Sequence, residues 1–86
     1  MTYHVEFTSA AARQIRKLPS VARERIFAAA ADLATNPRPA GSRKLVGVAT
    51  AWRIRVGEYR VIYDIFDKTL TVTVVRAAHR RESYNR

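Results

Sequence analysis

The segment AWRIRVGEYRVIY, residues 51–63, places three arginines within eight positions. Its alternation of apolar and basic residues predicts two short strands joined by a turn at residues 57–58, with Gly first, as in a type II′ hairpin. That register sets Arg55 directly opposite Arg60, with Arg53 on the same face. Like charges opposite each other ordinarily destabilise a sheet. The pattern therefore indicates a bound anion, because positioned arginines can hold a phosphate and stabilise negative charge that develops on it.

A solvated face is the alternative interpretation, since antiparallel sheets commonly expose one side to water. Such a face, however, usually mixes lysine, glutamate and threonine and avoids like-charged pairs across strands. The chain has 16 Lys and Arg against 7 Asp and Glu, a net charge of +9, and 13 of the 16 basic residues are Arg. Arginine offers a planar fork that matches phosphate and stacks on bases. We therefore expect a polyanionic partner, first of all nucleic acid or a ribonucleoprotein, with an acidic protein as the alternative.

The composition also narrows the kind of site. The chain has no cysteine and two histidines, His4 and His79, which together do not make a zinc site or a disulfide framework. Asp64 and Asp67 fall on a predicted strand and its turn rather than at a metal pair, so we expect no metal and no cofactor. The sequence has no signal-peptide pattern, and no apolar run approaches the roughly 20 residues of a membrane span. We expect a cytoplasmic protein without a membrane partner.

One α+β domain, covering residues 1–86, is predicted to position the arginines. Two helices should form an antiparallel hairpin on one face of an antiparallel sheet of three to four strands, in the order β-α-α-β-β-β-β. The predicted elements are a strand at residues 2–7, a helix from Thr8 or Ser9 to about Leu18, a helix capped by Ser20 and ending near Asn36, and strands at 44–46, 52–56, 59–66 and 69–77.

The alternation along the strands assigns each residue to a face of this sheet. The face beneath the helices is predicted to hold Trp52, Ile54, Val56, Tyr59, Val61, Tyr63, Ile65, Leu70, Val72 and Val74. The opposite face is predicted to hold Arg53, Arg55 and Arg60 together with Ile62, Asp64, Thr71, Thr73 and Val75.

Four stretches carry a resemblance to a known family: VEFTSAAARQIRKLP, NPRPAGSRKLVG, WRIRVGEYRVIYDI and RAAHRRESY. In their order, spacing and total length they resemble the RelE/ParE superfamily of bacterial toxins, and more closely its RelE-like branch. The resemblance implies a microbial RNase-like sheet with an N-terminal helical hairpin, and a RelB-like antitoxin that wraps and silences the toxin. RelE-like members cleave mRNA in the ribosomal A site. ParE-like members share the fold but poison DNA gyrase and lack the catalytic basic set.

When this sequence is matched to the RelE-like pattern residue by residue, the resemblance implies a site that cleaves RNA without a metal ion. The implied catalytic residues are Arg55, Arg60, Arg80 and Tyr84, and the implied RNA-binding residues are Arg53, Lys44, Arg43, His79 and Arg81. Arg60 and Arg80 would clamp the scissile phosphate, and Tyr84 would stack on a displaced base or align the 2′-OH.

The chain departs from the family pattern where well-studied relatives carry lysine, at Arg53 and Arg55, one of those lysines being the proposed general base. Arginine stays protonated at any working pH and cannot readily accept a proton. Either electrostatics and groups of the ribosomal RNA suffice for cleavage, or another residue is the base. His79 has a suitable intrinsic pKa, although a structural role for it is an equal alternative.

The leading hypothesis from the sequence is the toxin of a type II toxin–antitoxin system that acts as a ribosome-dependent mRNA endoribonuclease. Its expected partners are the antitoxin, mRNA and the ribosome with its 16S rRNA, and operator DNA only through the antitoxin complex. The alternatives are a gyrase inhibitor without nuclease activity and a degenerate toxin that only binds antitoxin and operator DNA. Because all of these share one fold, the fold does not choose among them.

Overall fold

The computed structural model describes residues 2–81 and confirms the α+β class. In chain order the elements are β1 (His4–Phe7), α1 (Ser9–Arg16), α2 (Ser20–Asp32), β2 (Arg43–Lys44), β3 (Ala51–Val56), β4 (Tyr59–Phe66), a 3₁₀ turn (Asp67–Thr69) and β5 (Thr71–His79). The strands lie in the order β1-β5-β4-β3-β2. The predicted antiparallel sheet corresponds to β2–β5, and β1 adds an edge strand parallel to β5, so the sheet is mixed.

The helices begin and end for local reasons. Thr8 caps α1, since its Oγ1 accepts a hydrogen bond from the Ala11 backbone N–H. The predicted cap of α2 is wrong: Pro19 occupies the cap position, no side chain caps the helix, and Ser20 is its first residue. The helix also ends at Asp32 rather than near Asn36, because the chain continues in turns toward Pro37. None of the described helices is long and apolar enough to cross a membrane.

Both helices and one face of the sheet bury their apolar residues in a single core. The cluster consists of Ala11, Ile15, Ile26, Ala30, Leu33, Ile54, Val61, Tyr63, Ile65, Val72, Val74 and Ala77. Trp52, Val56 and Tyr59 pack against it and are partly buried, as the alternation predicts. The Tyr63 hydroxyl donates to the Pro37 carbonyl at 2.8 Å, and burial raises the pKa of Tyr63 to about 12.

The predicted β3–β4 hairpin is confirmed in register. Ile54 pairs with Val61, and Arg55 pairs with Arg60. Gly57 has φ 59°, as the first central residue of a type II′ turn requires. The next hairpin differs from the prediction, because the 3₁₀ turn ends with Leu70 in the left-handed region at φ 51° and delays the start of β5 to Thr71.

A β-bulge in β5 is the largest difference from simple alternation. Tyr63 pairs with Val74, whereas the preceding residue of β4, Ile62, pairs with Arg76, so Val75 is an extra residue on β5. The bulge shifts the alternation of β5 by one residue. Arg76 therefore shares the face of Ile62, which strict alternation from Thr73 does not predict.

Asp67 joins three separate segments at the end of the sheet away from the Gly57 turn. It accepts a hydrogen bond from the Tyr3 hydroxyl at 2.6 Å, and its other oxygen lies 2.8 Å from Arg38 Nη2. The Arg38 guanidinium lies 5.3 Å from the centre of the Trp52 ring. Hydrogen bonds from Arg38 and then Tyr3 hold the pKa of Asp67 below its ordinary value of 3.8.

Acid should therefore weaken the fold partly through Asp67. Because the folded-state pKa is depressed, its contribution is complete above pH 3.8 and disappears as the pH falls through the lower folded value. We expect Asp67→Asn to lower the unfolding temperature at pH 7, and the difference from the wild type to shrink as the pH falls below 3.8. Thermal unfolding of both proteins from pH 7 down to about pH 2.5 measures this, within the window set by the ordinary carboxyl pKa. A difference that is constant across the range would contradict the assignment.

Candidate nucleic-acid interface

The sheet surface opposite the two helices carries two neighbouring rows of paired residues. The first row consists of Arg55, Arg60 and Ala78. The second row consists of Arg43, Arg53, Ile62 and Arg76. Directly paired residues of antiparallel strands lie on the same face. We call these two rows the arginine face.

The first row contains the like-charged pair that the sequence predicts. Arg55 and Arg60 are partners in the ladder, with Arg55 exposed and Arg60 half-buried. The Nε atom of Arg60 is removed from solvent. Burial of this atom limits the orientations open to the Arg60 side chain, and a cation that needs little reordering is suited to stabilising charge on a phosphate.

Arg80 lies at the same end of the sheet, beside the β3–β4 turn. Its Nε lies 3.1 Å from Glu58 Oε1, and its backbone N–H donates to the Glu58 carbonyl at 2.8 Å. The backbone contact places Arg80 beside the turn that links Arg55 and Arg60, and the exposed ion pair orients its side chain toward Glu58. The structure thus brings three of the four predicted catalytic residues to one end of the sheet, and the fourth, Tyr84, lies outside the described residues.

Two of the predicted RNA-binding residues lie on the opposite surface. Lys44 pairs with Trp52, whose side chain packs on the core, and its Nζ donates to the Val48 carbonyl at 3.0 Å. His79 pairs with Tyr59, and the two rings meet edge to face at 5.6 Å. Their contacts point both side chains away from the arginine face.

His79 has a further contact that bears on its chemistry. Its Nδ1 accepts a hydrogen bond from the backbone N–H of Arg81 at 3.2 Å. Arg81 itself is exposed just beyond β5. The structure therefore places His79 as a positioning contact for the exit of the chain from the sheet.

Arg76 is the residue of the arginine face that the sequence analysis missed. Strict alternation from Thr71 and Thr73 leads to Val75 on the outer face, and only the bulge moves Arg76 there. The sequence carries one signal of it, because the Thr-Val alternation of residues 71–74 breaks at Val75. By contrast, Arg53 occupies this face as predicted, and its direct partner is Arg43, which precedes the strand predicted at residues 44–46 and belongs to β2 in the structure.

The arrangement suits binding of a polyanion and stabilisation of negative charge. Over residues 2–81, no group of three or more His, Asp or Glu side chains is placed to hold a metal ion. Asp64, the carboxylate in the row beyond Ile62, accepts a hydrogen bond from Thr50 Oγ1 at 2.9 Å. The two rows present arginine side chains, and the chemistry that these offer is that of positioned cations.

Relief of the like-charged pair should stabilise the fold. We expect Arg55→Thr to raise the free energy of unfolding by roughly 0.2–1 kcal/mol, since like charges directly opposite each other destabilise a ladder and Thr favours strands. The unfolding temperature should rise by a few degrees at low salt, and the gain should shrink at high salt because the charges are screened. Arg13→Thr, at an exposed position on α1, is the control and should not stabilise. A loss of stability in Arg55→Thr would show that the pair is compensated within the fold.

Sequence comparisons with known proteins identify relatives of the chain. A family model described as the ParE toxin of the type II toxin–antitoxin system parDE matches residues 5–84. The toxin RelG of Mycobacterium tuberculosis is 38% identical over 94 aligned positions, which cover 100% of both chains. The mRNA interferase toxin RelE of Escherichia coli is 28% identical over 85 positions, covering 96% of this chain and 88% of that protein.

Solved structures share the fold over almost the whole chain. The toxin–antitoxin complex RelBE2 of Mycobacterium tuberculosis matches with a TM-score of 0.82 and 33% identity, covering 93% of each chain. The archaeal RelE–RelB complex of Pyrococcus horikoshii matches with a TM-score of 0.83 and 27% identity, covering 93% of this chain and 97% of the other.

Proposed function

Because this chain belongs to the ParE toxin family, and is a RelE-type toxin of a type II toxin–antitoxin system, we propose that it is a ribosome-dependent endoribonuclease acting on mRNA in the A site. The observation that carries the proposal is the direct pairing of Arg55 with Arg60, with Arg80 fixed beside them by Glu58. The name of the relative from Escherichia coli, an mRNA interferase, supports the same activity.

The proposed reaction needs only groups of the RNA and positioned charge. The 2′-oxygen attacks the adjacent phosphorus, a new 2′-O–P bond forms, and the bond from phosphorus to the 5′-oxygen breaks. The products are a 2′,3′-cyclic phosphate and a 5′-OH, after one proton has left the 2′-OH and one has reached the 5′-oxygen. Arg60 and Arg80 clamp the scissile phosphate, and Arg55 adds to the positive field that stabilises the phosphorane. Tyr84 holds the displaced base or aligns the 2′-OH.

Removal of the proton from the 2′-OH is the step for which the arginine face is least suited. Arg53 and Arg55 stay protonated, and His79 packs on Tyr59 at the opposite face. We therefore favour acceptance of the proton by a group of the ribosomal RNA, with the toxin contributing alignment and charge. Because the ribosome then supplies the proton acceptor and the toxin supplies alignment and charge, cleavage depends on the ribosome for a physical reason.

A RelB-like antitoxin is the proposed partner that silences the chain. The structural neighbours from Mycobacterium tuberculosis and Pyrococcus horikoshii are both complexes of such pairs. An acidic, partly disordered partner that covers the arginine face would neutralise it. We propose that operator DNA is bound only through that complex, and that the toxin acts in the cytoplasm, where the ribosomes are.

Inhibition of DNA gyrase without nuclease activity is the second candidate, since the matching family model is that of the ParE toxin. Mapping the 5′-ends of a defined mRNA in a reconstituted translation reaction, with and without ribosomes, tests the first proposal. Cuts that appear only with ribosomes support it. Intact mRNA from a folded, toxic protein that blocks supercoiling in a parallel gyrase assay supports the second. Intact mRNA from a harmless protein points to a chain that only binds its antitoxin.

A further inference from the structure

The second row of the arginine face forms a basic band across four strands. Arg43 on β2 pairs with Arg53 on β3, Arg53 pairs with Ile62 on β4, and Ile62 pairs with Arg76 on β5. This row lies two residues along β3 and β4 from the row of Arg55. With a rise of about 3.3–3.4 Å per residue, the two rows are roughly 7 Å apart, which resembles the spacing of successive phosphates in an extended RNA strand.

The composition of the second row is unlike that of a solvated sheet face. Like charges lie directly opposite each other at Arg43 and Arg53, and the central residue, Ile62, is apolar and half-buried. Neither row contains a carboxylate. The nearest strand carboxylate is Asp64, one row further, where it accepts a hydrogen bond from Thr50. The two adjacent rows therefore bring five arginines and no carboxylate together on one face of the sheet.

The β-bulge is what completes this surface. Without the extra residue at Val75, Ile62 would pair with Val75, and Arg76 would turn toward the helices. A bulge that redirects one side chain in this way is a common feature beside functional sites. It places an arginine on the β5 side of Ile62 to match Arg53 on the β3 side.

We propose that the second row is a phosphate-binding subsite, and that it holds the phosphate next to the scissile one on a single-stranded RNA. Arg43 and Arg76 are binding residues of this subsite, and Ile62 provides an apolar surface for the intervening sugar or base. The proposal rests on the proposed function in one respect, since the first row is taken to hold the scissile phosphate. It assigns Arg76 to substrate binding rather than to the chemical step.

The test measures binding of probes that cannot be cleaved. The probes are 2′-O-methyl uridine oligonucleotides that carry one, two or three phosphates, titrated calorimetrically into the full chain at several salt concentrations. A probe with one phosphate fills one subsite, and a probe with two phosphates can span both. For the wild type we expect the second phosphate to increase affinity about tenfold at low salt. The slope of log affinity against log salt should steepen by about 0.7, as for a further phosphate contact on a single strand.

The variants separate the subsite from overall charge. Arg76→Gln and Arg43→Gln should each remove most of the gain from the second phosphate while the affinity for one phosphate changes little. Arg76→Lys should retain the gain, because it keeps the charge. Lys68→Gln, which removes the same charge from the exposed turn between β4 and β5, should bind all probes in the wild-type pattern. If Arg76→Gln does not fold, the exposed Arg43→Gln variant still decides the result.

Two outcomes would overturn the proposal. In the first, the second phosphate still increases affinity in both glutamine variants. In the second, Lys68→Gln and Arg76→Gln lose affinity equally for all probes. The cleavage assay with ribosomes is run in parallel so that the two proposals fail separately. If the increase in affinity from the second phosphate depends on Arg76 but the protein does not cut mRNA, the subsite is supported and the nuclease proposal fails. If the protein cuts mRNA but the second phosphate does not increase affinity, the nuclease proposal is supported and the subsite proposal fails.

Discussion

A variant with both Arg60 and Arg80 replaced by alanine is expected to leave mRNA uncut on the ribosome and to be harmless on expression. Each arginine stabilises charge that develops on the scissile phosphate, and loss of one such preorganised donor typically costs about 10²–10³ in rate. The two losses need not add, because groups that act as a unit are not independent. Single-turnover cleavage by wild-type, single-variant and double-variant proteins, with mapping of the 5′-ends, measures the effect.

Glu58→Gln separates the position of Arg80 from its charge. Glu58 Oε1 lies 3.1 Å from Arg80 Nε, so the amide keeps a hydrogen-bond acceptor but loses the ion pair. The ion pair is exposed, and we expect the rate of cleavage to change by less than about tenfold, since exposed pairs contribute little.

For the Arg60→Ala/Arg80→Ala variant, Lys68→Ala is the control for loss of a basic residue away from the site. Full cleavage by the Arg60→Ala/Arg80→Ala protein, which must be shown to be folded, would remove the proposed site.

The part of the site that could be predicted is the part fixed by local rules. A two-residue turn with Gly57 at its first position sets the register of the β3–β4 hairpin, and that register sets Arg55 against Arg60. Period-two alternation then fixes which side chains face the helices. The pairing of Arg43 with Arg53 lies beyond these rules, because the sequence pattern places the strand at residues 44–46 whereas β2 is Arg43–Lys44.

The part that could not be predicted depends on contacts distant in sequence. The bulge at Val75 exists only because β5 pairs with β4, and it changes the face of Arg76. The parallel pairing of β1 with β5 joins segments that are separated by both helices and three strands, and strand alternation is the same in a parallel or an antiparallel edge strand. These features are set by tertiary packing rather than by local propensity.

Lys44 and His79 show the limit of matching residues to a family pattern. Lys44 follows Arg43 in sequence, and His79 follows Ala78. Because adjacent residues of a strand point to opposite faces, Lys44 and His79 point away from the arginine face. Lys44 thus lies against the Val48 carbonyl and His79 against Tyr59. Their proposed contacts with RNA stay predictions, and they require a route around the edge of the sheet.

Because adjacent residues of a strand point to opposite faces, the orientation of Arg53 and Arg55 depends on Ile54, which lies between them. Ile54 lies between Arg53 and Arg55, is 7% exposed, and pairs with the buried Val61. Its burial keeps β3 in a register that points both arginines outward, because a slip by one residue would expose the apolar set and bury the charges. The core thereby positions the site without contacting the substrate.

Ile54→Ala should therefore destabilise the protein by about 2–5 kcal/mol, whereas Ile54→Val should cost about 0.5–1.5 kcal/mol. The larger value is a substantial share of the roughly 5–15 kcal/mol that stabilises a typical domain, and the unfolding temperature should fall by about 4–8 °C per kcal/mol. Chemical denaturation with the slope checked against the wild type measures both variants. We expect Ile54→Val to keep wild-type cleavage and salt dependence of RNA binding, and Ile54→Ala to lose toxicity in proportion to its unfolded fraction. Wild-type stability in Ile54→Ala would mean that the strand is held by its ladder alone, and that the outward direction of Arg53 and Arg55 has another cause.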